Sequence, residues 1–170
     1  MRGAASASEA LVPPVRRVQL CAFRVGTEEY VIDIMRIREI VPPQKVTPVP
    51  RAPEFIEGVI NLRGAIVPVV DLRKRLGLPP VAAGRTTKFL IVLVARRLVG
   101  LVVDQVCEVV RISRSEIKAA PGMPGSGPRI FVGVCGPPER LRLLIDIKAL
   151  LASAEPLSPQ ALRLPTAGVP

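Results

Sequence analysis

The chain has 170 residues, of which 49% are hydrophobic and 3% aromatic, and it carries a net charge of +10. This length allows one domain, or two small packed ones, that bury about 70% of the unfolded surface. No apolar run approaches the ~18 residues of a membrane helix, and the absence of histidine excludes most catalytic triads, most zinc sites and the usual general base.

The first elements predict a hairpin followed by an extended linker. Residues 1–16 lack the apolar core of a secretory signal, so we expect a disordered arm and a cytoplasmic protein. Residues 18–25 and 29–32 predict two strands joined at Gly26 and Thr27. After Asp33, apolar residues at helical spacing indicate a short helical turn; these residues are Ile34, Ile37, Ile40 and Val41. Residues 42–53 contain five prolines and predict an extended segment.

The stretch of residues 54–78 organises the rest of the chain. Two apolar runs, residues 55–62 and 65–70, flank Arg63 and Gly64, which predicts a strand, a tight turn and a second strand. Gly64 suits a turn position with positive φ, and Asp71 can cap a helical turn over residues 72–76. The hairpin presents Arg63 at its tip, which suits recognition; a solvated turn residue is the open alternative.

The second half of the chain is predicted to contain the same kinds of short strands and helix caps as the first. Residues 79–85 predict a loop, a tight turn is expected at Arg96 and Arg97, and Ser113 with Glu116 predicts a capping box. Asp146 is expected to cap a final helix over residues 147–151. The remaining segments are predicted strands at 88–95, 98–103, 106–110, 130–135 and 141–145, a loop at 121–128 and a disordered tail at 154–170, so that the folded body is 17–153.

An internal repeat relates the two halves. Residues 55–76 (FIEGVINLRGAIVPVVDLRKRL) resemble residues 130–151 (IFVGVCGPPERLRLLIDIKALL), since both give Gly-Val, a turn, an apolar strand, Asp and a helical turn. More weakly, residues 30–41 resemble residues 100–110. The repeat predicts two similar β-barrels, each of about five strands, packed together.

The polar residues give no support for an enzyme. Four aspartates follow apolar strands, which we interpret as strand-end or helix-cap positions rather than an acid–base pair or a metal site; they are Asp33, Asp71, Asp104 and Asp146. Three widely spaced cysteines lie among apolar residues and are interpreted as buried reduced thiols: Cys21, Cys107 and Cys135. The glycines of residues 122–127 lack the Lys-Ser/Thr of a phosphate loop. We expect no catalytic residue, no metal and no cofactor.

The positive charge leaves two interpretations open. The basic residues are spread along the chain rather than gathered in one run, and the aromatic side chains on which bases stack are scarce. A solvated basic surface is therefore favoured, with an acidic surface or a nucleic acid as the alternative partner.

Four segments together resemble the CheW family of chemotaxis coupling proteins. They are residues 23–34 (FRVGTEEYVIDI), 37–40 (IREI), 55–77 (FIEGVINLRGAIVPVVDLRKRLG) and 98–110 (LVGLVVDQVCEVV). The resemblance implies a mainly β fold of two five-stranded SH3-like β-barrels packed around a shared core, with short capping helices. It also implies an adaptor that joins the cytoplasmic signalling tip of chemoreceptors to the regulatory domain of a chemotaxis histidine kinase, reaching the membrane only through receptors and using no small-molecule substrate.

The resemblance also implies a set of receptor- and kinase-binding residues. Positions that match those the family uses for contacts, or for shaping the contact surface, are Ile37, Glu39, Gly58, Asn61, Arg63 and Val109. We expect Glu39 and Arg63 to approach each other as a surface pair. We also expect Ile34, Ile37 and Val109 to help line an apolar groove between the barrels that receives a helical hairpin; core packing is the alternative for these aliphatic residues.

The net charge of this chain differs from that of the family it resembles. Family members are mostly acidic or near neutral, whereas this chain is strongly basic and has 19 prolines. Two alternatives therefore accompany the coupling function: a paralogue that binds receptor but not kinase, and an SH3-like nucleic-acid-binding module.

Overall fold

The computed structural model describes residues 14–120 and 130–152. The predicted tail, the predicted loop at 121–128 and most of the predicted arm lie outside these residues, and the domain bounds stay predictions. Two α-helices are described, α1 (Leu72–Arg75) and α2 (Ile147–Ala152), with two 3-10 turns, Ile34–Arg36 and Arg114–Glu116. The strands are β1 (Arg17–Val25), β2 (Glu28–Asp33), β3 (Ile37–Val41), β4 (Ile56–Leu62), β5 (Ala65–Asp71), β6 (Lys88–Val94), β7 (Arg97–Val103), β8 (Gln105–Ser113), β9 (Phe131–Cys135) and β10 (Arg142–Ile145).

The strands form two five-stranded sheets with the same internal pattern. The first sheet has the order β8-β1-β2-β10-β9 and the second the order β3-β6-β7-β5-β4. In each, an antiparallel pair (β1 and β2, or β6 and β7) is extended by a parallel strand (β10, or β5) and then by an antiparallel one (β9, or β4). The predicted repeat of residues 55–76 and 130–151 thus gives β4–β5–α1 and β9–β10–α2.

The two sheets exchange one strand each. After β2 the chain passes through the turn Ile34–Arg36 and enters the second sheet as β3, and after β7 it passes Asp104 and enters the first sheet as β8. These two crossings correspond to the weaker repeat of residues 30–41 and 100–110. Neither sheet is therefore built from one continuous half of the chain.

Each sheet curls so that its two edges approach. β3 and β4 are opposite edges of the second sheet, yet the segment after β3 pairs with β4 through Thr47 and Val59, whose N–H groups donate to each other's carbonyls at 2.9 Å. In the first sheet, Lys118 follows β8 and exchanges two hydrogen bonds of 2.8 Å with Val134 on β9. The equivalent closures give two barrel-like units.

A shared core joins the sheets. Its buried residues come from both of them and from both helices, and include Phe23, Tyr30, Ile32, Leu72, Leu90, Leu101, Ile145 and Leu150. Each curled sheet also encloses a smaller hydrophobic cluster of its own. In the second sheet it includes Ile60, Val67 and Ile91, and in the first it includes Leu20, Ala22 and Val31. Because both faces of the central strands are covered, they are apolar throughout rather than alternating. The predicted fold class is confirmed.

Two predicted details are wrong. Residues 37–41 form strand β3 instead of continuing the helical turn, because hydrogen bonding to β6 outweighs a local apolar spacing that a strand also accommodates. The tight turn between β6 and β7 lies at Ala95 and Arg96, which have φ of 46° and 64°, one residue before the predicted position.

The capping aspartates fit the prediction except for Asp104. Asp33, Asp71 and Asp146 each accept a backbone N–H two or three residues ahead. Asp104 instead accepts the N–H of Gly26 at 2.7 Å and pairs with Arg73, whose Nη2 lies 2.6 Å from its Oδ2, because β7 runs into β8 without an intervening helix. The capping box of Ser113 and Glu116 is confirmed.

The cysteine prediction is correct for two of the three residues. Cys21 and Cys135 are buried free thiols, and Cys107 is a half-buried one. Burial raises the pKa of the Cys21 thiol, which keeps it protonated and unreactive. In the described part of the chain, no helix is long and apolar enough to cross a membrane.

Candidate functional site

The hairpin of β4 and β5 presents an arginine in an unusual backbone conformation. Arg63 and Gly64 form its two-residue turn with φ of 50° and 86°, so both lie in the left-handed region, as a type I′ hairpin turn requires. The side chain of Asn61 supports the turn by accepting the N–H of Gly64 at 2.8 Å. Sequence analysis expected the positive φ at Gly64 but not at Arg63. Arg96 in the β6–β7 turn has a similar φ of 64°, so the conformation places Arg63 at the hairpin tip but does not by itself mark a site.

Arg63 forms the expected ion pair with Glu39. Its Nη2 donates to Glu39 Oε2, with 75% of the arginine side chain and 24% of the glutamate side chain exposed. β5, which follows the turn, lies three strand positions from β3 in the sheet, so the contact exists only because the sheet curls. An exposed pair of this kind contributes about 0–1 kcal/mol to stability. Its effect is to hold the guanidinium in one orientation at the surface.

An exposed apolar residue adjoins the turn. Ile66 pairs across the hairpin with Asn61, and 65% of its surface is accessible. Sequence analysis did not include it, although strand alternation gave the signal: Val67 and Val69 face inward, which places Ile66 on the opposite, outward face together with polar Asn61. The hairpin therefore offers charge and apolar area together.

Gly58 belongs to the backbone rather than to the surface. It is buried with φ of 142°, and a Cβ at this position would lie 2.1 Å from the carbonyl oxygen of Thr47. Only glycine lets the linker approach β4 and form the bridge that closes the sheet. Gly133 serves the same closure at the equivalent place in the other sheet, where a Cβ would lie 2.6 Å from Ile117 Cγ2. Gly58 acts on the site by shaping it.

The three aliphatic candidates differ in how far they are buried. Ile37 packs against the shared core, Ile34 is half-buried in the 3-10 turn, and 48% of Val109 is exposed. Asp33 pairs with Leu20 on one side of β1 and Val109 pairs with Cys21 on the other, so Ile34 and Val109 flank the same strand. For Ile37, the alternative of core packing is what the contacts show.

A cavity of about 450 Å³ opens between the two sheets. Its lining does not include Ile34, Ile37 or Val109; it includes Ile32, Arg36, Val94, Val132, Ile145 and Lys148. Among the described residues, no three His, Cys, Asp or Glu side chains are placed to share a metal ion.

Comparisons with known proteins give a consistent result. A family profile described as a CheW-like domain matches residues 19–155. The chemotaxis protein CheW of Rhizobium meliloti is 39% identical over 140 residues, which cover 81% of this chain and 89% of that protein. The chemotaxis protein CheW of Klebsiella aerogenes is 37% identical over 134 residues, covering 78% and 81%. The solved structure of the scaffolding protein TtCheW from Thermoanaerobacter tengcongensis superimposes with a TM-score of 0.75 at 30% identity, covering 84% of this chain and 100% of that one.

Proposed function

The chain belongs to the CheW family, and on that premise we propose that it is a non-enzymatic adaptor that couples chemoreceptors to a chemotaxis histidine kinase. In this proposal one surface receives the helical signalling tip of a receptor and another the regulatory domain of the kinase, which has the same two-barrel fold. The protein is cytoplasmic and meets the membrane only through receptor arrays. It needs no cofactor, metal or small-molecule substrate.

The observation that carries the proposal is the Arg63–Glu39 pair. A two-residue turn with both residues at positive φ is stiff, and the ion pair fixes the one flexible side chain on it. Little stability is gained from so exposed a pair, so its geometry is best explained by a partner that reads the oriented guanidinium. Asn61 and Ile66 would contribute a hydrogen-bonding group and apolar area beside it.

Calorimetric titration tests this proposal. We expect the protein to bind both a receptor-tip fragment and a kinase regulatory domain from the same genome, and Arg63→Glu to weaken at least one of them by about tenfold or more. The free energy of unfolding of this variant should change by less than about 1 kcal/mol. Arg85→Glu, on an exposed loop, is the matched control and should bind as the wild type does. If Arg63→Glu unfolds instead, Arg63 is structural.

The strong positive charge favours one alternative, a paralogue that binds receptor but not kinase. The same titration separates the two, since the alternative gives receptor binding with no heat of binding to the kinase domain. A nucleic-acid-binding function requires an affinity that falls steeply with salt.

A further inference from the structure

Four exposed arginines cluster where β1 begins and β8 ends. We call Arg16, Arg17, Arg111 and Arg114 the arginine patch. Arg17 pairs across the strands with Ser113, and Gln19 with Arg111, so Arg17 and Arg111 are diagonal neighbours on one face, about 7–8 Å apart. The N–H of Arg114 donates to the carbonyl of Arg16 at 3.0 Å, which holds the other two backbones together.

The arginine patch is not neutralised within the described part of the chain. None of its four side chains forms an ion pair there, whereas Arg24 and Arg142 in the same sheet, and Arg140 just before β10, all pair with Glu29 or Glu108. The nearby carboxylate of Glu116 accepts the N–H of Ser113 at 2.5 Å in its capping box. Arginines within a screening length of about 8 Å repel one another, so this arrangement is unfavourable for the isolated protein.

Exposed apolar residues adjoin the arginine patch. Val109 lies two residues before Arg111 on the same strand face. The 3-10 turn contacts β1 on its other side and carries Met35, which is 77% exposed. The lines of β2 and β8 are two strand spacings, about 10 Å, apart. That is the width of one α-helix, so a helix could lie across the start of β1, where Arg17 and Gln19 are exposed, with its apolar face on Val109 and Met35.

We propose that the helical partner that docks beside β1 carries acidic side chains that meet Arg17 and Arg111. This inference rests on the proposed function, because it takes the helical receptor tip as the partner and specifies its chemistry. Acidic residues on that tip would neutralise the arginine patch, steer association and exclude the neutral tips of other signalling systems. A nucleic acid is the weaker occupant, since the patch offers valine and methionine where bases need aromatic side chains to stack.

Charge reversal at two positions tests the inference. The affinity of the receptor-tip fragment is measured for the wild type, for Arg17→Glu/Arg111→Glu, and for the control Lys45→Glu/Arg85→Glu. Both control residues are exposed and lie at one end of the second sheet. Lys45 follows β3, whose last residue pairs with Phe89 at the start of β6, and Arg85 precedes β6. At that end, the N–H of Asp104 donates to the carbonyl of Arg24. Arg24 lies seven residues after Arg17 in β1, which places it about 23 Å away along the strand.

We expect the patch variant to bind at least about tenfold more weakly at about 50 mM salt, with most of that difference gone at about 300 mM. The control should change affinity by less than about twofold. If the patch variant does not fold, Arg17→Gln/Arg111→Gln replaces it and should show a smaller loss in the same direction. Equal affinities of patch variant and wild type would overturn the inference while leaving the proposed function standing.

Two further outcomes distinguish the remaining occupants. If the wild type binds no receptor-tip fragment at either salt concentration, the proposed function fails and the inference fails with it. A 20-base-pair DNA duplex and phosphatidylserine vesicles are titrated in parallel. If either binds more tightly than the receptor tip, and the patch variant loses that binding, the patch serves a polyanion and the acidic-helix inference is overturned.

Discussion

At the scale of single residues, Gly58 shows how one missing side chain permits a fold. The linker after β3 reaches β4 only because no Cβ stands between Gly58 and the carbonyl of Thr47. The sequence repeat drew attention to Gly-Val in both halves, but the reason, a closing bridge from a distant segment, depends on tertiary proximity that local patterns do not encode.

Replacing Gly58 should therefore destabilise the protein. We expect Gly58→Ala to lower the free energy of unfolding by more than about 3 kcal/mol, because the methyl group clashes with backbone and the residue has a positive φ. Gly64→Ala is the control: its φ is also positive, but no atom lies within 4 Å of the added Cβ. It should cost about 1 kcal/mol. Denaturant titration measures both, and equal losses would contradict the steric explanation.

The carboxylate of Glu29 makes the stability of the fold depend on pH. Its carboxylate accepts from Arg140 at 2.9 Å, from Arg142 at 2.9 Å and from Arg24 at 3.3 Å. The hydrogen bonds from Arg140, followed by those from Arg142, lower the pKa of Glu29 from 4.5 to about 2. A carboxylate whose pKa is lower in the folded state stabilises the fold fully at pH values above its ordinary pKa. This contribution is lost as the pH falls towards the pKa in the folded state.

We therefore expect wild-type stability to fall between about pH 4.5 and about pH 2, in part through Glu29. Glu29→Gln should cost on the order of 2 kcal/mol at neutral pH, and this difference should shrink across the same window. Denaturant titrations at several pH values measure it. Glu28→Gln, an exposed neighbour on β2, is the control. A wild-type-to-variant difference that stays constant with pH would contradict the assignment.

At the scale of elements, the two capping helices meet at equivalent positions of the repeat. Arg75 on α1 corresponds to Leu150 on α2, and its Nε donates to the Leu150 carbonyl at 2.8 Å. The guanidinium also lies over the ring of Phe55, with its carbon 5.0 Å from the centroid. Arg75 is fully buried, and burial lowers its pKa. It therefore links the two barrels through their caps.

Removing this link should loosen the shared core. We expect Arg75→Ala to lower the free energy of unfolding by about 3 kcal/mol, from the cavity and from the lost donor to Leu150. Lys148→Ala, exposed on α2, should stay within about 0.5 kcal/mol of the wild type. Chemical denaturation compares the two. Equal midpoints and slopes would mean that Arg75 does not join the caps.

Elements were predicted better than their arrangement. Nine of the ten strands, the central hairpin and the capping turns follow from apolar runs and turn residues, and the two-barrel fold follows from the repeat. The strand exchange does not, because both crossings occur at short connections after Asp33 and Asp104 that local sequence leaves free to turn either way. The burial of Arg75 had a signal that was missed: Leu72, Arg75 and Leu76 share one helical face.

The candidate site was predicted from the sequence only in part, because its arrangement also depends on how the strands pair. The Arg63–Glu39 contact forms as the resemblance implied, whereas the exposed Ile66 and the arginine patch were not foreseen. The patch joins residues more than 90 positions apart, and only the register of β1 against β8 brings Arg17 beside Arg111. Roles of the predicted contact residues in binding stay predictions.

At the scale of the whole molecule, the charge is organised rather than evenly spread. One set of arginines is paired with Glu29 at the first sheet, and another, at the outer end of the same sheet, forms no ion pair within the described residues. The Arg63 turn lies on the other sheet, so the two candidate surfaces are carried by different barrels. Two candidate surfaces on different barrels of one shared core match what the proposed adaptor needs in order to hold two partners at once.

The most direct measurement is whether this protein brings its two partners into one complex. A receptor-tip fragment and a kinase regulatory domain are sedimented by analytical ultracentrifugation with and without it. We predict that the kinase domain sediments with the receptor fragment only when the protein is present, and that Arg63→Glu reduces this ternary species. If the two partners displace each other from the protein, or stay separate in its presence, the bridging function is wrong.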